Sequence, residues 1–306
     1  FLVSSKTSLV FKSLKDKIIK CETSTGEYLC YMSSFLGHYF GKQAFKFLKE
    51  NNFTVDFVSS HGQTIFHQPE KGLTTQIGDI NALASEVKNK VIGDFRSLDV
   101  ALGGQGAPLV PIGDKLLFSS YDFCLNLGGF SNISFEKNKR RIAFDICPTN
   151  MVLNYLANKK QMTYDKDGLL AKKGKINENL LKELNSIPYY KDKIRKSLGK
   201  EFVKESVLPI IERYDINVED KMATYLEHIA IQLNNNIKGD VLITGGGAYN
   251  KFLMEKLKQK TKYKITIPDK TTIDFKEALI FAFLGVLRLR EETNCLASVT
   301  GAMKDS

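Results

Sequence analysis

The stretch Leu125–Asn150, LNLGGFSNISFEKNKRRIAFDICPTN, decides how this chain is read. Leu125 and Leu127 alternate with Asn126, and Gly128-Gly129 then breaks the run. Ile133 to Phe135 resumes it, Glu136 to Arg140 forms a basic turn, and Ile142-Ala143-Phe144 returns. Apolar alternation bounded by turn residues predicts a hairpin of short strands. The missing side chains at Gly128 and Gly129 allow another group to approach the backbone. Asp145 stands at the end of an apolar strand, ahead of Pro148, Thr149 and Asn150, which start a helix over Met151 to Leu156. Two readings of Asp145 stand side by side: a carboxylate placed for chemistry beside a glycine loop, or a cap for the next helix.

Toward the N-terminus, Val55 to Ser60 is a buried-strand pattern that runs into His61-Gly62-Gln63-Thr64. A strand ending in a small polar loop is how an α/β fold presents a site. A strand over Thr74 to Ile77 and a helix over Ile80 to Val87 follow, and the short strand Val91 to Gly93 ends in Asp94-Phe95-Arg96. Gly103-Gly104-Gln105-Gly106 then excludes a helix or a central strand. Its clustered N–H groups suit an oxyanion or a sugar hydroxyl, although a domain hinge reads the same. All three endings terminate apolar segments, which points to one shared edge. Earlier in the chain, Ser33 to Glu50 has helical spacing with a phenylalanine-rich face read as core, and Lys17 to Lys20 reads as a short strand.

Toward the C-terminus, residues 165–215 read as a largely solvated helical insert, with helices over Asn177 to Leu184 and Val203 to Tyr214. Asp220 to Ile237 is an amphipathic helix. The strand Asp240 to Thr244 leads into Gly245-Gly246-Gly247 and a helix over Lys251 to Lys260. Strand, glycine turn and helix suit a nucleotide, because a helix N-terminus favours negative charge; a plain tight turn reads the same. No GKS/T follows, so this is not a Walker A loop, and it is not GxGxxG. Tyr263 to Ile267 is strand-like. Thr271 to Asp274 reads as the cap of a last helix, Lys276 to Glu292, with Glu277 in its first turn where the dipole favours a carboxylate. Alternating strands and helices in two roughly repeated halves predict an α/β protein of two lobes with a cleft between them.

Composition narrows the function classes. A chain of 306 residues with 43% hydrophobic content has room for two domains and a sizeable core. The net charge of +10 favours an anionic partner, but the lysines are scattered and not interleaved with aromatics, so nucleic acid is not the expected one. Five widely spread cysteines without a CxxC pair argue against a disulfide framework or a zinc site and point to the cytoplasm. No apolar run reaches transmembrane length, and Phe1 to Lys6 lacks a signal-peptide pattern.

Taken together, several segments resemble the anhydro-N-acetylmuramic acid kinase family. They are Ser60-His61-Gly62-Gln63-Thr64 with His67-Gln68-Pro69, Asp94-Phe95-Arg96, Gly103 to Pro111, Leu127 to Asn132, Phe144-Asp145 with Pro148 and Asn150, Thr244 to Gly247, Glu277-Ala278 and Ser298 to Gly301. The resemblance runs in order from about Val55 to the C-terminus. It implies the actin-like ATPase fold of the sugar kinase, Hsp70 and actin superfamily, with two RNase H-like lobes over about 1–118 and 119–285 and a segment of about 286–306 packing back on the first. It also implies hydrolytic opening of the 1,6-anhydro ring with transfer of the ATP γ-phosphoryl to O6, using Mg2+, in cell-wall recycling. By the same matching Asp145 is the general base. His61, Gln63, Arg96, Gln105 and Glu277 face the sugar, with Arg96 gripping its lactyl carboxylate. Gly128, Gly129 and Asn132 meet the phosphates, and Gly245, Gly246 and Gly247 meet the adenosine. A homodimer is implied as well. One segment departs: the family's MSGTSLDG loop corresponds to Ser5 to Phe11, where Lys6 replaces a glycine, Val10 the aspartate and Phe11 the second glycine. Either the chain lacks its true start or phosphate handling is lost. The alternative to an active kinase is therefore a non-catalytic sugar- or nucleotide-binding relative.

Overall fold

A computed structural model describes residues 4–8, 10–192 and 197–306. The chain divides into two compact units, one of residues 1–116 with 277–306 and one of residues 117–276. Within the segment matched to the family's MSGTSLDG loop, Ser5 to Phe11, Leu9 lies outside the described residues.

The first unit begins with helix α1 (Lys12–Lys20) and the long helix α2 (Gly26–Glu50). The expected strand Lys17 to Lys20 is helix instead. Leu14 and Ile18 lie one turn apart and both enter a core with Cys21, Met32, Leu36 and Ile77, a spacing only a helix provides. Helix α2 starts seven residues before the expected Ser33, because the Thr25 hydroxyl accepts from the Tyr28 N–H at 3.2 Å and caps it. Its aromatic face is only partly core: Met32 and Leu36 are buried, whereas Tyr31, Phe35 and Phe45 are exposed. The parallel pair β1 (Val58–Ser59) and β4 (Val91–Ile92) and the antiparallel hairpin β2 (Gln63–Gln68) and β3 (Leu73–Ile77) are the strands of this unit among the described residues. Helices α3 (Ile80–Val87) and α4 (Ser97–Ala101) follow β3 and β4, and α5 (Val110–Leu117) leads out of the unit.

The second unit is built on a five-stranded sheet: β5 (Phe123–Leu127), β6 (Phe130–Lys137), β7 (Arg140–Pro148), β8 (Val241–Thr244) and β9 (Ile265–Thr266). The strand order is β7-β6-β5-β8-β9; β6 is antiparallel to both neighbours, and β8 and β9 run parallel to β5. This three-stranded meander extended by two crossover strands is the RNase H-like arrangement. The hairpin turn is tighter than the expected five residues. Asn138 and Lys139 alone form it, both with positive φ (51° and 62°), which matches the twist of the flanking strands.

Around the sheet lie α6 (Asn150–Asn158), α7 (Glu178–Asn185), α8 (Lys200–Phe202) running through a π-helical turn into α9 (Leu208–Glu212), α10 (Val218–Asn236) and α11 (Lys251–Lys260). The insert is not largely solvated as expected: Leu180, Leu184, Ile187, Tyr190, Val203, Val207 and Ile211 all enter the main core. Its lysines and glutamates occupy the outer face of helices whose inner face is mainly apolar, so bulk composition misleads there. Helix α12 (Lys270–Leu289) begins six residues before the expected Lys276. The Thr272 N–H reaches Asp269 Oδ1 at 3.0 Å, so Asp269 caps the helix, and Glu277 sits in its interior beyond the first turn. A last short helix, α13 (Ala297–Thr300), ends at Gly301.

Candidate functional site

In the second unit, glycine turns and a carboxylate collect at one edge of the sheet. Parallel pairing of Asn126 with Thr244 puts the C-terminal ends of β5 and β8 side by side. Strand β7 runs in the same direction and ends at Pro148. The turns 128–129, 149–150 and 245–247 therefore leave the same edge, the customary ligand side of such sheets. Asn150 ties them together: its Nδ2 donates to the Leu127 carbonyl at 3.3 Å, and its N–H reaches Gly128 O at 3.2 Å. The Thr149 hydroxyl donates to Gly128 O at 2.7 Å.

Asp145 lies within β7 rather than at its end. It pairs with Asn132, while Cys147 pairs with Ser131, so Ile146 is an extra residue and the strand bulges there. Bulges redirect side chains. Ile146 and Cys147 both turn inward, and Asp145 is left half-buried. The Leu198 N–H donates to Asp145 Oδ2 at 2.7 Å, and the Tyr189 hydroxyl donates to the Asp145 carbonyl at 2.5 Å. Burial pushes the Asp145 carboxyl up to about 6, partly offset by the Leu198 N–H. The helix-cap reading fails: α6 starts at Asn150 after Thr149, and the Asp145 carboxylate is turned to Leu198. Asn132, across from it, is exposed.

The three glycines after β8 serve three purposes. Gly245 has φ +82°, and a Cβ there would meet Leu127 O at 2.8 Å. At Gly247 a Cβ would meet the Leu127 Cβ at 2.7 Å. At Gly246 the nearest atom would be 3.9 Å away, and at Gly128 and Gly129 it would be 3.4 and 3.7 Å. Packing therefore does not require glycine at 128, 129 or 246. They form a cradle open on its outer side, which fits an approaching polyphosphate. A 3-10 turn, Gly246–Tyr249, separates β8 from α11, and Asn250 caps that helix, its Oδ1 accepting from the Leu253 N–H at 3.0 Å. The expected direct strand–glycine–helix junction is thus replaced by a capped one. Among the described residues no group of three His, Cys, Asp or Glu side chains is placed to hold a metal ion. A magnesium ion bound through one or two carboxylates, phosphates and water would need no such group.

In the first unit, Arg96 and His61 form the centre of a second constellation. Arg96 Nε donates to His61 Nε2 at 2.9 Å, and Arg96 Nη1 donates to the Gly106 carbonyl at 2.7 Å. His61 Nδ1 lies 3.1 Å from the Gly62 carbonyl. Because Nε2 accepts, Nδ1 carries the proton. Burial, and then the Arg96 charge, hold His61 below the usual imidazole range, so it is neutral. Phe281 packs against the His61 ring at 4.5 Å and lies 5.9 Å from the guanidinium. Glu277, one turn earlier on α12, is exposed and supports the Arg96 charge, while burial pulls Arg96 below its ordinary value. Gln63 and Gln105 are exposed. The Gln63 amide turns to the Thr64 carbonyl at 3.2 Å, and Gln105 is held through its main chain to Thr300 O at 2.9 Å. Sequence reading gave no site role to Asn126, Thr149 or Asn150 and did not single out the buried Asp99. A polar residue inside the apolar run FCLNL was the available signal for Asn126.

An RNase H-like sheet with glycine turns and a half-buried carboxylate at its ligand edge, carried on a two-unit α/β chain, defines the actin-like ATPase class to which sugar kinases belong. The profile of the anhydro-N-acetylmuramic acid kinase family matches residues 3–306. The chain is 36% identical to the anhydro-N-acetylmuramic acid kinase of Clostridioides difficile, over 96% of its own length and 85% of the relative's. Against the kinases of the same name in Vibrio vulnificus and Pseudomonas syringae pv. tomato the identities are 34% and 36%, covering 88% and 83% of this chain and 78% and 75% of theirs. The chain belongs to the anhydro-N-acetylmuramic acid kinase family and is a phosphotransferase by that membership. Among solved structures, component A of (R)-2-hydroxyglutaryl-CoA dehydratase from Acidaminococcus fermentans aligns at a TM-score of 0.38 and 17% identity, over 65% of this chain and 79% of that one. No helix among the described residues is long and apolar enough to cross a membrane.

Proposed function

We propose that this chain opens 1,6-anhydro-N-acetylmuramic acid with water and phosphorylates O6 from ATP, giving N-acetylmuramate 6-phosphate and ADP. The observation that carries the reading is Asp145: a half-buried carboxyl with its ionisation moved to about 6, on the same sheet edge as an open glycine cradle. A base poised near neutrality can take a proton from water. The oxygen of that water bonds to the anomeric carbon, the bond from that carbon to O6 breaks, and O6 takes the γ-phosphoryl group as ADP leaves. Gly128, Gly129 and Gly246 give the phosphates access to the backbone, with Gly245, Gly247 and Asn132 shaping the nucleotide side. Arg96, supported by His61 and Glu277, takes the lactyl carboxylate, and Gln63 and Gln105 supply exposed amides for the sugar. Magnesium would neutralise phosphate charge. The proposed role is cell-wall recycling in the cytoplasm, by a homodimer. Mass spectrometry of the product formed in 18O-labelled water tests this: one label and one phosphate in N-acetylmuramate 6-phosphate support it, and unchanged anhydro-sugar refutes it.

A second reading, sugar or nucleotide binding without turnover, is favoured by the segment before α1. Lys6 stands where the family has glycine, and its Nζ is bound to Glu50 at 2.8 Å. Calorimetric binding of the anhydro-sugar with no ADP release would select this reading.

A further inference from the structure

Asp99 lies in α4 and is fully buried. A buried carboxylate needs partners to be tolerated. Those that reach it among the described residues are all uncharged. The Thr300 hydroxyl donates to Oδ1 at 2.7 Å, the Cys295 thiol to Oδ1 at 3.1 Å, and the Gly106 N–H to Oδ2 at 2.7 Å. The Asp99 main-chain oxygen also accepts from the Gly104 N–H at 2.8 Å. The glycine loop is shaped to this carboxylate: a Cβ at Gly104 would overlap Asp99 Oδ2. Gly106 is the relay. Its N–H is held by Asp99, and its carbonyl holds Arg96 Nη1. Arg96 in turn donates to His61 and fixes which imidazole nitrogen carries the proton.

We infer that Asp99 is a positioning residue that, through Gly106, sets the orientation of Arg96 and the tautomer of His61 for binding an acidic sugar. The clause about the sugar rests on the role proposed above for Arg96. The chain of bonds from Asp99 to His61 does not. With two of its N–H groups spent on His61 and Gly106, the guanidinium keeps one orientation and presents its remaining donors in one direction, the arrangement a forked carboxylate grip requires.

The test is a comparison of Asp99→Leu with Asp99→Asn. Leucine has nearly the same shape and no acceptor, so the Gly106 N–H is released. Asparagine keeps an oxygen for Gly106, while its amide can donate to the Thr300 hydroxyl. Imidazole 15N spectra of the wild-type chain are expected to show His61 protonated at Nδ1. In Asp99→Leu the signal moves to a mixture of both tautomers, and Asp99→Asn restores the wild-type pattern. In turnover, Asp99→Leu raises the KM for the anhydro-sugar at least about tenfold, with the KM for ATP unchanged. A folded Asp99→Leu with the wild-type His61 spectrum overturns the inference. Should Asp99→Leu fail to fold, Thr300→Val is read in its place against Thr300→Ser, and an unchanged His61 spectrum in Thr300→Val overturns the inference equally. Absence of turnover in the wild type bears on the proposed reaction, while the His61 spectrum reads the positioning by itself.

Discussion

Lowering the pH from 7 to 5 is the perturbation that reads Asp145 most closely. With its ionisation at about 6, the carboxylate fraction is about 0.9 at pH 7 and about 0.1 at pH 5. An ordinary aspartate, at 3.8, would still be about 0.9 ionised at pH 5. If Asp145 must be a carboxylate to accept the proton of water, kcat/KM for the anhydro-sugar falls roughly tenfold across that interval. The cause is specific. Burial raises the group, and the Leu198 N–H at 2.7 Å restrains the rise. Coupled ADP-release kinetics with ATP saturating at each pH measure the acid limb. Placing that limb near pH 4 would refute the argument, because it would mean that an unburied acid carries the proton.

Three further outcomes follow from the same geometry. The fold raises Asp145, so its stabilising contribution is fully present below the unfolded value of about 3.9 and is lost as pH rises through about 6. Asp145→Asn, neutral throughout, therefore gains on the wild type between pH 4 and pH 7 by about 1–2 kcal/mol, the upper end being the part of the shift that falls in this interval undiminished by solvent; denaturant melts at both values check this. Gly245→Ala costs about 1–3 kcal/mol from its positive φ and its contact with Leu127, whereas Gly246→Ala leaves stability within about 0.5 kcal/mol of wild type and weakens ATP binding, separable by melts and calorimetry. Arg96→Lys loses the Nε donor to His61 and the fork, and raises the sugar KM about 10–100-fold with little change in the ATP KM.

The meander was legible because period-two alternation and turn residues coincide in Leu125–Lys137 and Arg140–Phe144. So was the strand before Gly245, whose four residues are all apolar or β-branched. The bulge at Ile146 was not, since one extra residue beside Asp145 leaves the local pattern readable either way and only the register reveals it. Helix starts were misplaced where the cap lay upstream of the periodic residues, at Thr25 and Asp269. The insert was misjudged because its charges outnumber the apolar residues that face inward. Asp99 stayed hidden for another reason. Its partners at Cys295 and Thr300 are about 200 positions away, and no local pattern announces a contact at that separation.

Asp145→Asn in the coupled ADP-release assay tests the central claim most directly. With anhydro-N-acetylmuramic acid and MgATP, the wild-type chain is expected to release ADP in a sugar-dependent manner, and the variant to do so about 10^2- to 10^4-fold more slowly. Sugar-dependent release that survives the substitution unchanged would contradict the account.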